Sequence, residues 1–147
     1  MSDDFYNEPK LIPGGIVIDD RGEVMFCNDF QFAGIKRFYL VRNHRAGLVR
    51  AWHGHKVEHK FIMCLLGAAK VGAIPLGQPP SSLPTTWTLS AKKPAVLHIP
   101  AGWANGWMSL TDNTLMAFCS TSTLDESLSD DFRYAARYWD CWDIEER

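Results

Sequence analysis

The chain has 147 residues, of which 46% are hydrophobic and 22% are charged, and its formal net charge is −2 at pH 7. These values are typical of one globular domain, so we interpret residues 1–147 as a single domain. There is no basic stripe of the kind that binds nucleic acid, and no apolar run approaches the roughly 18 residues of a transmembrane helix. The N-terminal stretch MSDDFYNEPK is acidic and polar, unlike a signal or transit peptide. We therefore expect neither a nucleic acid nor a membrane as a partner.

Short strand signals follow one another along most of the chain. They are runs of β-branched or aromatic residues separated by Gly, Pro, Asn or Asp. Many closely spaced short strands predict an all-β sandwich or barrel rather than an α/β fold. The predicted strands are Gly15–Ile18, Glu23–Cys27, Arg37–Val41, Leu48–His53, Phe61–Leu66, Ala69–Ile74, Thr86–Leu89, Ala95–Ile99, Trp107–Leu110 and Leu115–Ser120.

Two segments interrupt this pattern. Pro75–Thr86 contains four prolines, which predict a loop because proline cannot donate to a strand ladder. We expect this loop to join the two halves of one barrel. The tail from Asp125 to Arg147 is charged and aromatic, and it predicts one short helix or irregular structure.

The four cysteines, Cys27, Cys64, Cys119 and Cys141, are widely spaced and form no C-x-x-C pair. Three of them lie in apolar segments, where a free cysteine behaves as a small hydrophobic residue. We interpret all four as inert thiols in a reducing cytosol, which predicts a cytoplasmic protein.

The segment Gly47–Gly67 contains the most informative histidines. His53 and His55 are two residues apart, so on a strand their side chains point to the same face. The spacing resembles the first signature of the cupin family, which is a glycine, five residues, His-x-His, three or four residues, Glu, six residues and Gly. The segment Pro100–Asn105 resembles the second signature, Pro-x-Gly-x-x-His.

Two of the four metal ligands expected from these signatures are replaced here. Lys60 stands at the glutamate position and Asn105 at the last histidine position. A lysine amine is protonated at neutral pH and repels a cation, so we expect no metal, although Glu58 or His59 could substitute as a ligand. Bound metal in the purified protein would favour a metal-dependent cupin oxygenase or isomerase instead.

Without a metal, four basic side chains would share one cavity wall. Arg50, His53, His55 and Lys60 all fall in the same segment. Burying that much positive charge is costly unless a ligand or carboxylates compensate for it. The cluster therefore favours a binding site for an anionic ligand.

Several motifs between Gly14 and Tyr138 resemble the RmlC-like cupins, which are metal-free isomerases of nucleotide-linked 4-keto-6-deoxy sugars. Asp19–Gly22 resembles their D-x-R-G turn, and Arg50–His53 resembles the R-G-x-H segment that carries the base. Ile99–Trp107 resembles the I-P-x-G-F-A-H-G-F of the dTDP-4-dehydrorhamnose 3,5-epimerases.

Other motifs resemble a second branch, the dTDP-sugar 3,4-ketoisomerases. Ile35–Tyr39 is similar to their I-K-R-V-Y strand, and Trp52–Lys56 is similar to their H-A-H-K, in which two histidines shuttle protons. Residues 130–134 are similar to their D-Y-I-R-x-Y tail. The resemblance implies a jelly-roll cupin barrel, no cofactor, a nucleotide-sugar substrate and a homodimer formed by strand exchange.

The resemblance also implies site residues. His53 corresponds to the base, Lys60 lies where the epimerases keep a lysine beside the substrate carbonyl, and Arg21 would bind the nucleotide phosphates. We expect Arg50 and Asn105 to contact the substrate as well, with Arg50 able to join Lys60 in stabilising an enolate oxygen.

The expected catalytic acid is absent. The epimerase tyrosine lies thirteen residues after the last histidine of the motif, and counting from Asn105 reaches Phe118. The proton would then return from Tyr39, His55 or water. We expect an epimerase that acts next to a 4-keto group, and the missing phenol leaves inversion at one centre only as an open alternative to inversion at two. The alternatives are a 3,4-ketoisomerase and a non-catalytic sugar-nucleotide-binding cupin.

Overall fold

A computed structural model describes residues 7–147, which form two five-stranded antiparallel sheets and one separate hairpin. The sheets have the strand orders β1-β9-β6-β11-β4 and β12-β5-β10-β7-β8, and β2 pairs only with β3. This all-β arrangement confirms the predicted cupin class. The elements are β1 Lys10–Pro13, β2 Gly15–Asp19, β3 Gly22–Phe26, β4 Arg37–Asn43, β5 Val49–His55, β6 Lys60–Leu66, β7 Ala68–Pro75, β8 Thr85–Ser90, β9 Ala95–Ile99, β10 Trp103–Ser109, β11 Thr114–Ser120, α1 Leu124–Leu128 and β12 Phe132–Arg133.

The two sheets pack face to face around an apolar core. Alternate residues of each strand point inward, as the pleat of a strand requires. Burial of this apolar surface is the main force that holds the sheets together. The core side chains are Ile62, Cys64, Ala69, Val71, Ala73, Leu89, Leu97, Ile99, Trp107, Met116 and Phe118.

All ten predicted strands are present, and two further strands were missed. β1 has four residues and β12 has two, so neither is long enough to show a clear alternation. β10 also begins four residues earlier than predicted, at Trp103. Ala104, Asn105 and Gly106 have low strand propensity, and pairing with β5 and β7 holds them in the strand.

The prediction that Pro75–Thr86 joins two halves of the barrel is wrong. β7 and β8 are antiparallel neighbours in one sheet, so the proline-rich loop closes a hairpin within that sheet. The two sheets are connected elsewhere, for example between His55 at the end of β5 and Lys60 at the start of β6.

The C-terminal tail contains one short helix, as predicted, and then packs against the outer face of a sheet. Thr123 caps α1 through a capping box with Glu126. Further along, Trp139 and Trp142 pack on Trp52 of β5 and bury it completely. Of the N-terminal stretch interpreted above, residues 1–6 lie outside the described part of the chain. Across residues 7–147, no helix is long and apolar enough to cross a membrane.

Candidate functional site

A cavity of about 610 Å³ opens between the two sheets, and its lining includes residues of the edge strand β4 and of β5 and β12 from the opposite sheet. One wall comes from β4, β6 and β11, the opposite wall from β5 and β10, and α1 with β12 forms the rim. Six of the seven predicted site residues line it, and their roles stay predictions. The polar and aromatic residues of the lining are Arg37, Tyr39, Arg50, Trp52, His53, His55, Lys60, Asn105, Trp107, Phe118, Ser127, Asp131, Arg133 and Tyr134.

A bulge in β5 brings Arg50 to the same face as His53. Asn105 of β10 pairs with His53, and Trp107 pairs with Arg50, so one residue of β10 opposes two of β5. Without the bulge, a spacing of three would put Arg50 and His53 on opposite faces. Gly106 of β10 lies opposite the bulge and has no side chain, which leaves room for the extra residue. A Cβ atom at this position would collide with Ala51.

His53 is a half-buried basic residue of the cavity wall. Its imidazole makes no hydrogen bond to any residue between 7 and 147. Partial burial, together with the positive charges of Lys60 and Arg133, lowers the pKa of His53 below 6.5, while Asp131 opposes this shift. The ring is therefore neutral at pH 7 and has a free nitrogen, which is the state that a general base needs.

His55 is held much more tightly than His53. Its Nδ1 lies 2.5 Å from the backbone oxygen of Asp130, and its Nε2 lies 2.8 Å from Oε2 of Glu58. The Glu58 carboxylate is completely buried, and Ser120 Oγ donates a hydrogen bond to its other oxygen. Burial raises the pKa of Glu58, but the contacts with His55, Ser120 and Lys60 outweigh it and hold the pKa at about 2.

Two further cations lie near the same carboxylate. Lys60 Nζ is 3.9 Å from Glu58 Oε2, and Arg37 is 3.6 Å from Oε1. Burial lowers the pKa of Lys60, although Glu58 acts in the opposite direction. Three basic side chains, those of Arg37, His55 and Lys60, thus surround the one carboxylate of Glu58. This arrangement favours negative charge on a bound ligand.

Tyr39 and Phe118 are paired residues on the wall opposite His53. Tyr39 is on β4 and Phe118 on β11, and both side chains line the cavity. The Arg37 guanidinium lies over the Tyr39 ring, 4.7 Å from its centre. Burial and the charge of Glu58 raise the pKa of Tyr39 to about 12, so the phenol keeps its proton at neutral pH.

The segment after α1 supplies residues that sequence reasoning did not assign. The Asp130 carboxylate accepts hydrogen bonds from the backbone N–H groups of Lys56, Val57 and Glu58, at 2.8, 2.9 and 3.1 Å. Arg133 pairs with His53 across β12 and β5, and it forms an ion pair with Asp131. The D-x-x-R pattern from Asp130 to Arg133 was the available sequence signal for these residues. It does not show that the tail contacts β5, because the two segments are far apart in the sequence.

Arg50 and Asn105 reach the cavity with protein partners already in place. Arg50 Nε donates to Asn43 Oδ1 at 2.7 Å. Asn105 is buried, and its amide donates to the backbone oxygen of His53 at 3.4 Å. Both side chains therefore have fixed positions beside His53, as a substrate contact requires.

Arg21 lies outside this cavity. It occupies the turn of the β2–β3 hairpin, where its side chain is 86% exposed and pairs with Asp19 at 2.6 Å. Arg21 is not among the residues that line the cavity of its own chain, so its phosphate-binding role stays a prediction. The expected absence of a metal also stays a prediction. Among the described residues, no group of three or more His, Cys, Asp or Glu side chains could hold a metal ion.

Solved structures of two enzyme types share this fold. The chain superposes on the rmlC epimerase of Mycobacterium tuberculosis with a TM-score of 0.75 at 16% identity, over 92% of this chain and 74% of that one. RmlC from Legionella pneumophila Philadelphia 1, a dTDP-6-deoxy-D-glucose-3,5-epimerase solved with dTDP-4-keto-L-rhamnose, gives 0.75 at 21% identity, over 96% and 81%. QdtA, a sugar 3,4-ketoisomerase from Thermoanaerobacterium thermosaccharolyticum solved with TDP, gives 0.67 at 20%, over 90% and 93%.

At these identities the superpositions establish the fold alone. The comparison with curated proteins gives no match. A family model does match, and it covers residues 8–134, which include every side chain that lines the cavity. The chain belongs to the family described as WxcM-like, C-terminal (FdtA).

Proposed function

We propose that this protein is an isomerase of a nucleotide-linked 4-keto-6-deoxy sugar, and that it inverts one carbon next to the ketone. The observation that carries the proposal is the position of His53 and Tyr39, which face one cavity from opposite sheets. A neutral imidazole on one side and a protonated phenol on the other are the two groups that inversion of a carbon requires.

The chemistry begins with the weak acidity of a carbon next to a ketone. His53 takes the proton, and the electron pair moves into an enolate whose charge develops on the former ketone oxygen. Lys60, Arg37 and Arg50 supply positive charge in a partly dehydrated cavity, where such stabilisation is strongest. Tyr39 then donates a proton to the opposite face of the same carbon, which inverts it.

The ligand class follows from the charge of the site and from its relatives. The cavity is rich in cations, and two of the structurally similar proteins were solved with TDP or with a dTDP-linked keto sugar. A nucleoside diphosphate would supply the negative charge that compensates for the buried cations.

Arg21 requires a second copy of the chain to reach a bound diphosphate. The β2–β3 hairpin pairs with no other strand, and Val17, Ile18, Val24 and Met25 are exposed on it. An isolated two-stranded hairpin is only marginally stable in water, so an apolar partner surface is expected. In a homodimer the hairpin would cover its partner and bring Arg21 toward the partner's ligand.

A 3,4-ketoisomerase is the second candidate. His53 and His55 lie on one strand and point to the same face, which would suit transfer of a proton between two neighbouring carbons on one side of the sugar. The two reactions share the base and the enolate, and they differ in where the proton returns.

Incubation with dTDP-4-keto-6-deoxyglucose in deuterated water separates these functions. NMR of the product should show deuterium at one carbon next to the ketone, with inverted configuration at that carbon. A ketone moved to carbon 3 would establish the ketoisomerase. Binding without exchange, for this and other 4-keto sugar nucleotides, would contradict an enzymatic role and favour a binding module.

A further inference from the structure

The two histidines of the cavity differ in what surrounds their ring nitrogens. The His53 imidazole makes no hydrogen bond within residues 7–147, whereas both ring nitrogens of His55 face oxygen atoms. Nδ1 of His55 lies 2.5 Å from the backbone carbonyl oxygen of Asp130. A carbonyl oxygen can only accept a hydrogen bond, so Nδ1 carries a proton.

The second nitrogen of His55 faces a buried carboxylate. Nε2 lies 2.8 Å from Glu58 Oε2, an oxygen that has no aligned hydrogen bond and has Lys60 as its other near charge, 3.9 Å away. An ionised carboxylate is also only an acceptor. If neither atom carried a proton, two electron-rich atoms would lie 2.8 Å apart inside the protein. A proton on one of the two atoms is therefore required.

The surrounding charges decide which atom carries that proton. Arg37 and Lys60 lie within 4 Å of Glu58, and Ser120 donates to its Oε1, so the environment stabilises the ionised carboxylate. Asp130 adds negative charge near His55, with Oδ2 4.0 Å from Nδ1. The charged and titratable groups that face this pair are Arg37 from β4, His53 from β5, Lys60 from β6, and Asp130, Asp131 and Arg133 from the segment around β12.

We propose that Glu58 is a positioning residue that holds His55 as a doubly protonated imidazolium, so that His53 is the only histidine base of the site. His55 is then a fixed positive charge and not a relay for protons, because its Nδ1 faces the Asp130 carbonyl and its Nε2 lies beside the Glu58 carboxylate. This inference rests on the proposed function, and it assigns the single-centre reaction to the site. The proton leaves the substrate carbon to His53, the electron pair remains as the enolate, and the returning proton comes from Tyr39.

The test is the protonation state of His55 in the intact protein without substrate. With ¹⁵N-labelled histidine, long-range ¹H–¹⁵N NMR separates singly from doubly protonated rings, and loss of one signal in His55→Gln identifies the residue. At pH 7.5 we expect both His55 nitrogens to show protonated shifts, and His53 to show the neutral pattern. A singly protonated His55 in the unsubstituted protein would overturn the proposal.

Glu58→Gln tests the role of the carboxylate. The amide preserves size but removes the charge, so His55 should become singly protonated at pH 7.5 while Nδ1 keeps its proton toward Asp130. Glu126→Gln is the matched control. Glu126 lies on α1, where it pairs with Lys36, and it contacts no histidine of the described chain. An unchanged His55 spectrum in folded Glu58→Gln would also overturn the proposal. These spectra need no substrate, so their outcome is independent of the proposed reaction. If Glu58→Gln does not fold, the spectrum of the unsubstituted protein alone shows whether His55 is doubly protonated.

Discussion

Tyr39 and Phe118 stack face to face on neighbouring strands, with ring centres 5.1 Å apart and planes within 4° of each other. They are direct partners in the β4–β11 register. The ring at position 118 has no hydroxyl, but a hydroxyl is present on the adjacent strand of the same wall. The structure thus has a phenol in the cavity one strand away from the expected position, and the proposed function assigns the acid role to it.

The first prediction tests this relocation. In Tyr39→Phe, His53 can still remove the substrate proton, so deuterium exchange should continue while the inverted product falls by roughly 10²-fold or more. Phe118→Tyr in the Tyr39→Phe background should restore part of the inversion, because the new hydroxyl would lie on the same wall. NMR of the product in deuterated water measures both. Full inversion by Tyr39→Phe would remove Tyr39 from the proton path.

Much of the fold could be predicted because the strands are short, alternating and well separated. His53 and His55 could be placed together from their spacing alone, since the pleat of a strand has a period of two. The position of Arg50 could not, because it depends on a bulge that has no local signal in β5. The role of Asp130 was missed because it acts through contacts with residues at least 72 positions away in the sequence. Such contacts are created by the pairing of the two-residue strand β12 with β5.

The second prediction concerns the stability of the β5–β6 turn. Asp130→Asn removes the charge that accepts three backbone hydrogen bonds and leaves one acceptor oxygen. We expect a loss of at least about 2 kcal/mol in the free energy of unfolding, since one hydrogen bond to a charged group contributes about 1.5–3 kcal/mol. Urea unfolding measures it. Asp125→Asn, an exposed change in the first turn of α1, is the control and should cost much less. Equal losses in the two variants would contradict this role of Asp130.

The same residue gives a pH dependence of known sign. Burial raises the pKa of Asp130, but the three N–H groups outweigh it and the net pKa lies below 3.8. A carboxylate with a lowered pKa contributes its full stability above the ordinary value, and that contribution disappears as the pH falls through the folded value. The difference in unfolding free energy between the unsubstituted protein and Asp130→Asn should therefore be constant near neutral pH and shrink below about pH 4. A difference that grows with acidity would contradict it.

The third prediction separates binding from chemistry at the hairpin. Arg21→Ala should leave the fold intact, because the side chain is exposed and pairs only with Asp19 within the described chain. Its affinity for dTDP should fall roughly tenfold or more if Arg21 binds phosphate, as expected for a lost charged hydrogen bond. Calorimetry measures the affinity, and sedimentation should show a dimer in both proteins. Unchanged affinity would exclude Arg21 from the ligand site.

The central claim is that His53 is the base, and one rate measures it most directly. His53→Asn keeps size and polarity but cannot accept a proton near neutral pH, so folding and binding of dTDP should persist. With a 4-keto-6-deoxy sugar nucleotide in deuterated water, the unsubstituted protein should exchange the hydrogen next to the ketone. The acid limb of its pH profile should have a midpoint below 6.5, because burial lowers the pKa of His53. His53→Asn should exchange that hydrogen roughly 10²–10⁴-fold more slowly. Exchange at the parental rate by folded His53→Asn would contradict the account.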